Sequence, residues 1–124
     1  MTGMKLFDRA MELLGYTSAD GISGKEDMLK RALTLINQVY SELYYAFVQV
    51  PGEKDEFKPL TNILNEIKLP NNVLMDIAPY GLAMYLAQSE SDADNQSLYA
   101  NIYNQKKVRG KKVTVIKDRL PHTF

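Results

Sequence analysis

Residues 79–96 read PYGLAMYLAQSESDADNQ, and whether they form one helix, two or none decides the fold. A proline and a glycine stand two residues apart at the head of an apolar run. A patch of small and acidic residues then cuts that run short. A proline inside a helix removes a backbone donor and clashes with the preceding turn, so the helix must kink or restart there. On the upstream side, Asn71 or Asn72 suits a helix N-cap after Pro70. From there Val73, Leu74, Ile77, Leu82, Ala83, Tyr85, Leu86 and Ala87 keep helical spacing. The stretch therefore predicts a third helix bent at Pro79, with Gly81 giving room for a neighbour or relief at the bend. The run SESDADNQ ends it and leaves Asp92 to cap a fourth helix. That helix is predicted to run to about Arg109, with Leu98, Tyr99, Ile102, Tyr103 and Lys106 on one side and Gly110 as its stop.

The segments before this stretch supply its partners. Leu6, Phe7, Ala10, Met11, Leu13 and Leu14 recur at helical spacing and predict a first helix over residues 4–14. Gly15 follows as the residue that takes the left-handed conformation at a helix end. Residues 16–24 read as a loop. Ser23 and Glu26 form an S-x-x-E capping box. After it, Leu29, Ala32, Leu33, Ile36, Val39, Tyr40, Leu43, Tyr44 and Phe47 predict a long second helix, stopped by Pro51-Gly52 and about 36–40 Å in length. This helix is expected to be the spine. Pro59 and Pro70 bracket PLTNILNEIKLP, which sustains no helical phase and predicts an ordered arm or short strand. Past Gly110, the alternation in KVTVIK (112–117) predicts a strand. The expected fold is thus mostly α. It is a compact four-helix domain over residues 1–110 with one long central helix, a kinked third helix and an extended middle segment, followed by an extended tail over 111–124.

The composition is that of one globular domain. The chain has 124 residues, 45% of them apolar and 24% charged, enough for one core and too few for two. No apolar stretch is long enough to span a bilayer. The first residues, MTGMKLFDRAMELL, are interrupted by Asp8, Arg9 and Glu12, so a signal peptide is not expected. There is no cysteine, hence no disulfide framework and no thiolate metal site. A cytoplasmic protein and a cysteine-free virion protein share that profile. The formal net charge is zero but unevenly spread. Residues 1–104 hold eight Lys/Arg against fourteen Asp/Glu, and residues 105–124 hold seven Lys/Arg against Asp118 alone. An acidic body carries a basic tail.

The chemistry-bearing motifs are sparse. His122 is the lone histidine and lies in the terminal tail, where a surface role is the expectation. No nucleophile elbow, P-loop or dinucleotide fingerprint occurs, so no enzyme activity, cofactor or metal is expected. Asp92-x-Asp94-x-Gln96 begins like a calcium loop, but its sixth position is Ser97 and its twelfth Tyr103, where the loop needs Gly and Glu. Eight tyrosines suit either the edge of a core, rings in and hydroxyls out, or an interface. The basic tail suits a docking segment for an acidic partner, a solvated tail, or a phosphate-binding segment.

The block LPNNVLMDIAPYGLAMYLAQSESDADNQSLYANIYNQKK (69–107) resembles the small head–tail connector, or adaptor, proteins of long-tailed phages and prophages. The resemblance is carried by the Leu69-Pro70 entry, the small-residue core of Ala83, Leu86 and Ala87, the acidic break, and a tyrosine-bearing helix ending in Lys/Arg. The front is similar too: a short helix ending in LLGY, a loop, and a long helix containing KRALTLINQVYSEL. This resemblance implies a non-enzymatic virion-assembly role in the neck, assembled in the bacterial host cytoplasm. Family members form a ring, typically dodecameric, under the portal protein. They extend the DNA channel, through which packaged DNA passes without specific binding, and offer a surface to the next neck or tail protein. Some stay monomeric until a portal presents the template, and no membrane partner is expected for this chain. By analogy, portal docking falls to Lys106, Lys107, Arg109, Lys111, Lys112 and the Val113, Val115, Ile116 strand. The inter-subunit surface falls to Tyr99, Tyr103, Glu90, Asp92 and Asp94. The alternative is a small nucleic-acid-binding packaging accessory that acts through the basic tail.

Overall fold

In the computed structural model, residues 1–16, 25–48 and 56–119 are described, with residues 25, 26 and 111–119 described by their backbone alone. The helices are α1 (Gly3–Leu14), α2 (Lys25–Phe47), α3 (Asn71–Asp76), α4 (Ala78–Ser89) and α5 (Ala93–Arg119). Most of the described residues are helical and no strand forms among them, so the mostly α class expected from the sequence holds. The Ser23–Glu26 capping box, the loop beyond Tyr16, the Pro51-Gly52 stop and His122 lie outside what is described.

The ends of α1 have local causes. The Thr2 hydroxyl accepts from the Lys5 N–H at 3.2 Å and starts α1. Gly15 ends it at φ 69°, its N–H donating to the carbonyls of Met11 and Glu12. That is the left-handed cap glycine favours. The bent third helix of the sequence reading is α3 and α4 together. The break falls at Ile77, and Pro79 sits in the first turn of α4, where its missing N–H costs nothing. The start of α3 differs from expectation. Asn71 is already helical, and the cap position belongs to Pro70, which makes no side-chain cap bond.

Packing centres on α4, which is apolar nearly all round and touches α1, α2, α3 and α5. The long α2 presents Met28, Ala32, Ile36, Val39, Tyr40 and Leu43 to the core at the expected spacing. From α1 come Leu6, Phe7, Ala10 and Leu14. Together with α4 these residues form one continuous core.

The middle segment is extended, as predicted, and is pinned rather than loose. Leu60 and Ile67 plug into the core at 9% and 4% exposure. The Asn37 side chain donates to the Leu60 carbonyl at 3.0 Å and accepts from the Leu60 N–H at 2.8 Å. The Lys68 N–H donates to the Tyr40 hydroxyl at 3.2 Å. The start of α1 pairs with this arm. Met4 donates to the Ile63 carbonyl at 2.8 Å, Ile67 donates to the Met1 carbonyl at 2.9 Å, and Thr2 and Glu66 form one antiparallel bridge. Gly3 permits the approach, since a Cβ there would stand 2.8 Å from the Ile63 carbonyl oxygen.

The tail departs from the reading of the sequence. The predicted strand over 112–117 is absent: α5 continues through Gly110 to Arg119. Two physical causes account for this. A nucleated helix gains a hydrogen bond for each added residue, whereas a KVTVIK strand has no sheet to join among the described residues. Gly110 is also not a stop. A Cβ on it would lie 2.9 Å from the Phe47 ring, so the glycine provides clearance where α5 crosses the end of α2.

Candidate functional site

The residues singled out from the sequence fall at the two ends of α5, with a polar cluster between them. At the first end, α4 turns into α5 across Glu90, Ser91 and Asp92. Ser91 takes φ 57°, and the Asp92 N–H donates to the Ala87 carbonyl at 2.9 Å, which closes a Schellman-type helix end. Asp92 caps α5 as predicted. Its carboxylate accepts from the Asn95 N–H at 3.3 Å and from the Asn95 amide at 2.7 Å. It also accepts from the Tyr16 hydroxyl at 2.7 Å. That hydroxyl, then Asn95, hold the Asp92 carboxyl below its ordinary value. Burial, and then the bond to Asp92, push Tyr16 up. Glu90 pairs with Arg31 at 2.9 Å, and the same guanidinium donates to the Ser89 carbonyl at 3.3 Å. Asp94 is exposed in the first turn of α5, where a negative charge suits the helix dipole.

The polar cluster at mid-helix centres on Glu42, which the sequence reading did not single out. Its carboxylate accepts from the hydroxyl of Tyr85, from the hydroxyl of Tyr103 at 2.7 Å and from the amide of Gln38 at 2.9 Å. Residues of α2, α4 and α5 thus meet at one half-buried carboxylate. Burial alone would raise its carboxyl; the Tyr85, Gln38 and Tyr103 donors and the Lys107 charge outweigh that and hold it below the ordinary range. The same contact works in reverse on the phenols. Burial and the neighbouring carboxylate raise Tyr85 to about 12 and push Tyr103 up as well. Such phenols stay protonated and act as fixed donors, not as acids. A polar residue on the flank of the α2 stripe, amid Tyr40, Tyr44 and Tyr45, was the available signal for Glu42.

Tyr99 and Tyr103, expected on a surface between subunits, are instead spent inside the domain. They are 8% and 1% exposed. The Tyr99 hydroxyl donates to the Leu13 carbonyl at 2.5 Å, and the Tyr103 ring fills the space left by Gly81. Burying a phenol with its hydroxyl satisfied is worth more to a small core than leaving it wet. Tyr45 is the tyrosine that faces solvent, at 52% exposure.

The basic end is divided. Lys106 pairs with Asp76 of α3 at 2.8 Å and lies 5.0 Å from the Tyr80 ring centre. Lys107 lies 4.3 Å from the Tyr103 ring centre. Both cations are therefore engaged within the chain, while Arg109 is exposed. Lys111, Lys112, Val113, Val115 and Ile116 follow on the helical backbone of α5, not on a strand. Among the described residues, no group of three His, Asp or Glu side chains stands ready to hold a metal, and no helix is long and apolar enough to cross a membrane.

No known protein family, curated protein or solved structure matches this chain.

Proposed function

We propose that this chain is a structural virion-assembly protein, a ring-forming head–tail connector that docks on a portal and extends the DNA channel towards the tail. The supporting observation is the separation of charge along α5. The acidic junction of Glu90, Asp92 and Asp94 stands at its start, and Arg109, Lys111, Lys112, Lys117 and Arg119 follow one another towards its end. A helix of 27 residues holds those ends about 40 Å apart. A rigid rod with opposite charges at its ends suits a component that must meet two different neighbours in a fixed direction, and heterologous contacts of that kind form a ring where the rotation between neighbours closes. The resemblance of residues 69–107 to phage connectors agrees with this reading. In it, Arg109 and the residues from Lys111 onward make the portal contact, and Lys106 and Lys107 brace the helix that carries them.

The test is co-sedimentation with portal-bearing, DNA-filled heads, comparing the full chain with one ending at Gly110. That end point keeps the Lys106 and Lys107 contacts and the packing of Gly110 on Phe47. Saturable binding near portal-ring stoichiometry, lost on truncation and weakened by salt, supports the connector. Absence of binding to heads, together with retention on free DNA that truncation abolishes, replaces it with the packaging-accessory reading.

A further inference from the structure

We propose that α5 is an exchangeable element: two copies of this chain trade their α5 helices, with Ser91 as the hinge. The proposal rests on the fold and holds or fails independently of the portal reading.

The first observation is the hinge. Only Glu90, Ser91 and Asp92 join α4 to α5, and Ser91 sits at φ 57°. That conformation suits glycine and costs other residues free energy. Straightening the junction releases the cost and carries α5 away from its own α4. Short hinges under strain favour exchange between copies.

The second observation is how α5 is attached. Over residues 93–110, Tyr99 and Tyr103 alone are buried. Ile102 packs beside them, Tyr99 meets the Tyr80 ring, and polar contacts complete the attachment: Tyr99 to the Leu13 carbonyl, Tyr103 to Glu42, Lys106 to Asp76 and Tyr16 to Asp92. All but the last are made by side chains of α5 itself, so the α5 of another copy can make them.

The third observation identifies the occupant. Removing α5 uncovers the face of α4 around Tyr80 and Gly81, on which Tyr99 and Tyr103 pack, and such a face does not stay wet. The vacated seat is specific. It has a notch at Gly81 in which a Cβ would lie 2.7 Å from the Tyr103 ring. It also has two carboxylates, Glu42 and Asp76, left without Tyr103 and Lys106. A ring carrying a hydroxyl and a cation three residues on, at helical spacing, answers both. The α5 of a second copy supplies them in the same register, so the exchanged pair repeats the contacts of α5 with its seat and gives up the Asp92–Ala87 closure together with the strained hinge.

The experiment refolds the full chain from denaturant at millimolar concentration and measures monomer and dimer by light scattering after sizing. Wild type is expected to give a dimer that outlasts dilution, because each α5 must leave its seat before the copies part. Ser91→Gly removes the strain without touching the seat and is expected to lower the dimer fraction roughly tenfold. Leu98→Glu and Val108→Glu change exposed side chains of α5 and are expected to leave the dimer fraction unchanged. Wild type that refolds only to monomer overturns the proposal. So does a dimer insensitive to Ser91→Gly, or one abolished by Leu98→Glu, which would be a contact between surfaces.

Discussion

Asn37 on α2 treats Leu60 as a neighbouring strand would, donating to its carbonyl and accepting from its N–H. One side-chain amide thus replaces a rung of a sheet for a segment that has none. The arm also touches the start of α1 through Met4–Ile63 and Ile67–Met1 bonds, so it is held from two sides. Asn37→Ala leaves both Leu60 groups unsatisfied beside the core and is expected to destabilise the chain by about 1–3 kcal/mol. Hydrogen exchange checks this. The Leu60 amide should lose protection far more than amides in the middle of α4, and equal loss at both would mean that Asn37 supports the whole core.

Gly81 and Gly110 are places of close approach. Gly81→Ala puts a Cβ 2.7 Å from the Tyr103 ring, and a buried ring in a packed core has little room to retreat. The expected loss is about 1–3 kcal/mol, despite alanine's higher helix propensity. Urea unfolding measures it, and a neutral or stabilising result would show that α5 rides loosely on α4.

The Glu42 cluster predicts a dependence on pH. Its carboxyl is depressed in the folded chain from an ordinary value of 4.5. Its contribution is therefore complete above the unfolded value and is lost as pH falls through the folded one. Glu42→Gln is expected to cost about 2 kcal/mol at neutral pH, since a buried phenol, Tyr103, and a half-buried one, Tyr85, lose a charged acceptor. The gap between wild type and variant should narrow from pH 5 towards pH 3. A gap constant over that range would show that Glu42 acts by shape alone.

Asp92 serves two neighbours, the first turn of α5 and the Tyr16 hydroxyl. Asp92→Ala removes both and is expected to cost about 1–2 kcal/mol, while Asp92→Asn, itself a good cap, should cost less. Thermal unfolding of the pair decides it. Equal losses would assign the effect to the carboxylate charge and its bond to Tyr16.

The legible parts of the fold were those governed by spacing within a helix. The stripe of α2, the Gly15 cap, the restart at Pro79 and the Asp92 cap each depend on residues a few positions apart. What the sequence hid depends on what lies across the gap. Gly110 has the same letters around it as a helix stop, and only the Phe47 ring opposite makes it a clearance. KVTVIK has strand propensity, but propensity yields to context, and a helix already in progress was the stronger context. The resemblance alone places Tyr99 and Tyr103 between subunits, and nothing local reports that Gly81, over twenty positions before Tyr103, leaves a hollow the size of its ring. Glu42 looked like any helix-flank carboxylate until Tyr85 and Tyr103 arrived from two other helices.

Tyr103 also fixes alignment. Its ring tests for the hollow at Gly81 and its hydroxyl tests for the carboxylate of Glu42, so it reads two different helices at once. A slip of α5 by one residue turns that side chain by about 100° and shifts it by about 1.5 Å, and it then meets neither. Sliding by a whole turn brings Tyr99 or Lys107 to the place instead. Tyr99 already has its own acceptor on α1, and Lys107 has no ring to fill the hollow. The helix therefore has one resting position against its neighbours, and a polar rod with few buried side chains is set in place like a key whose cut matches a single lock.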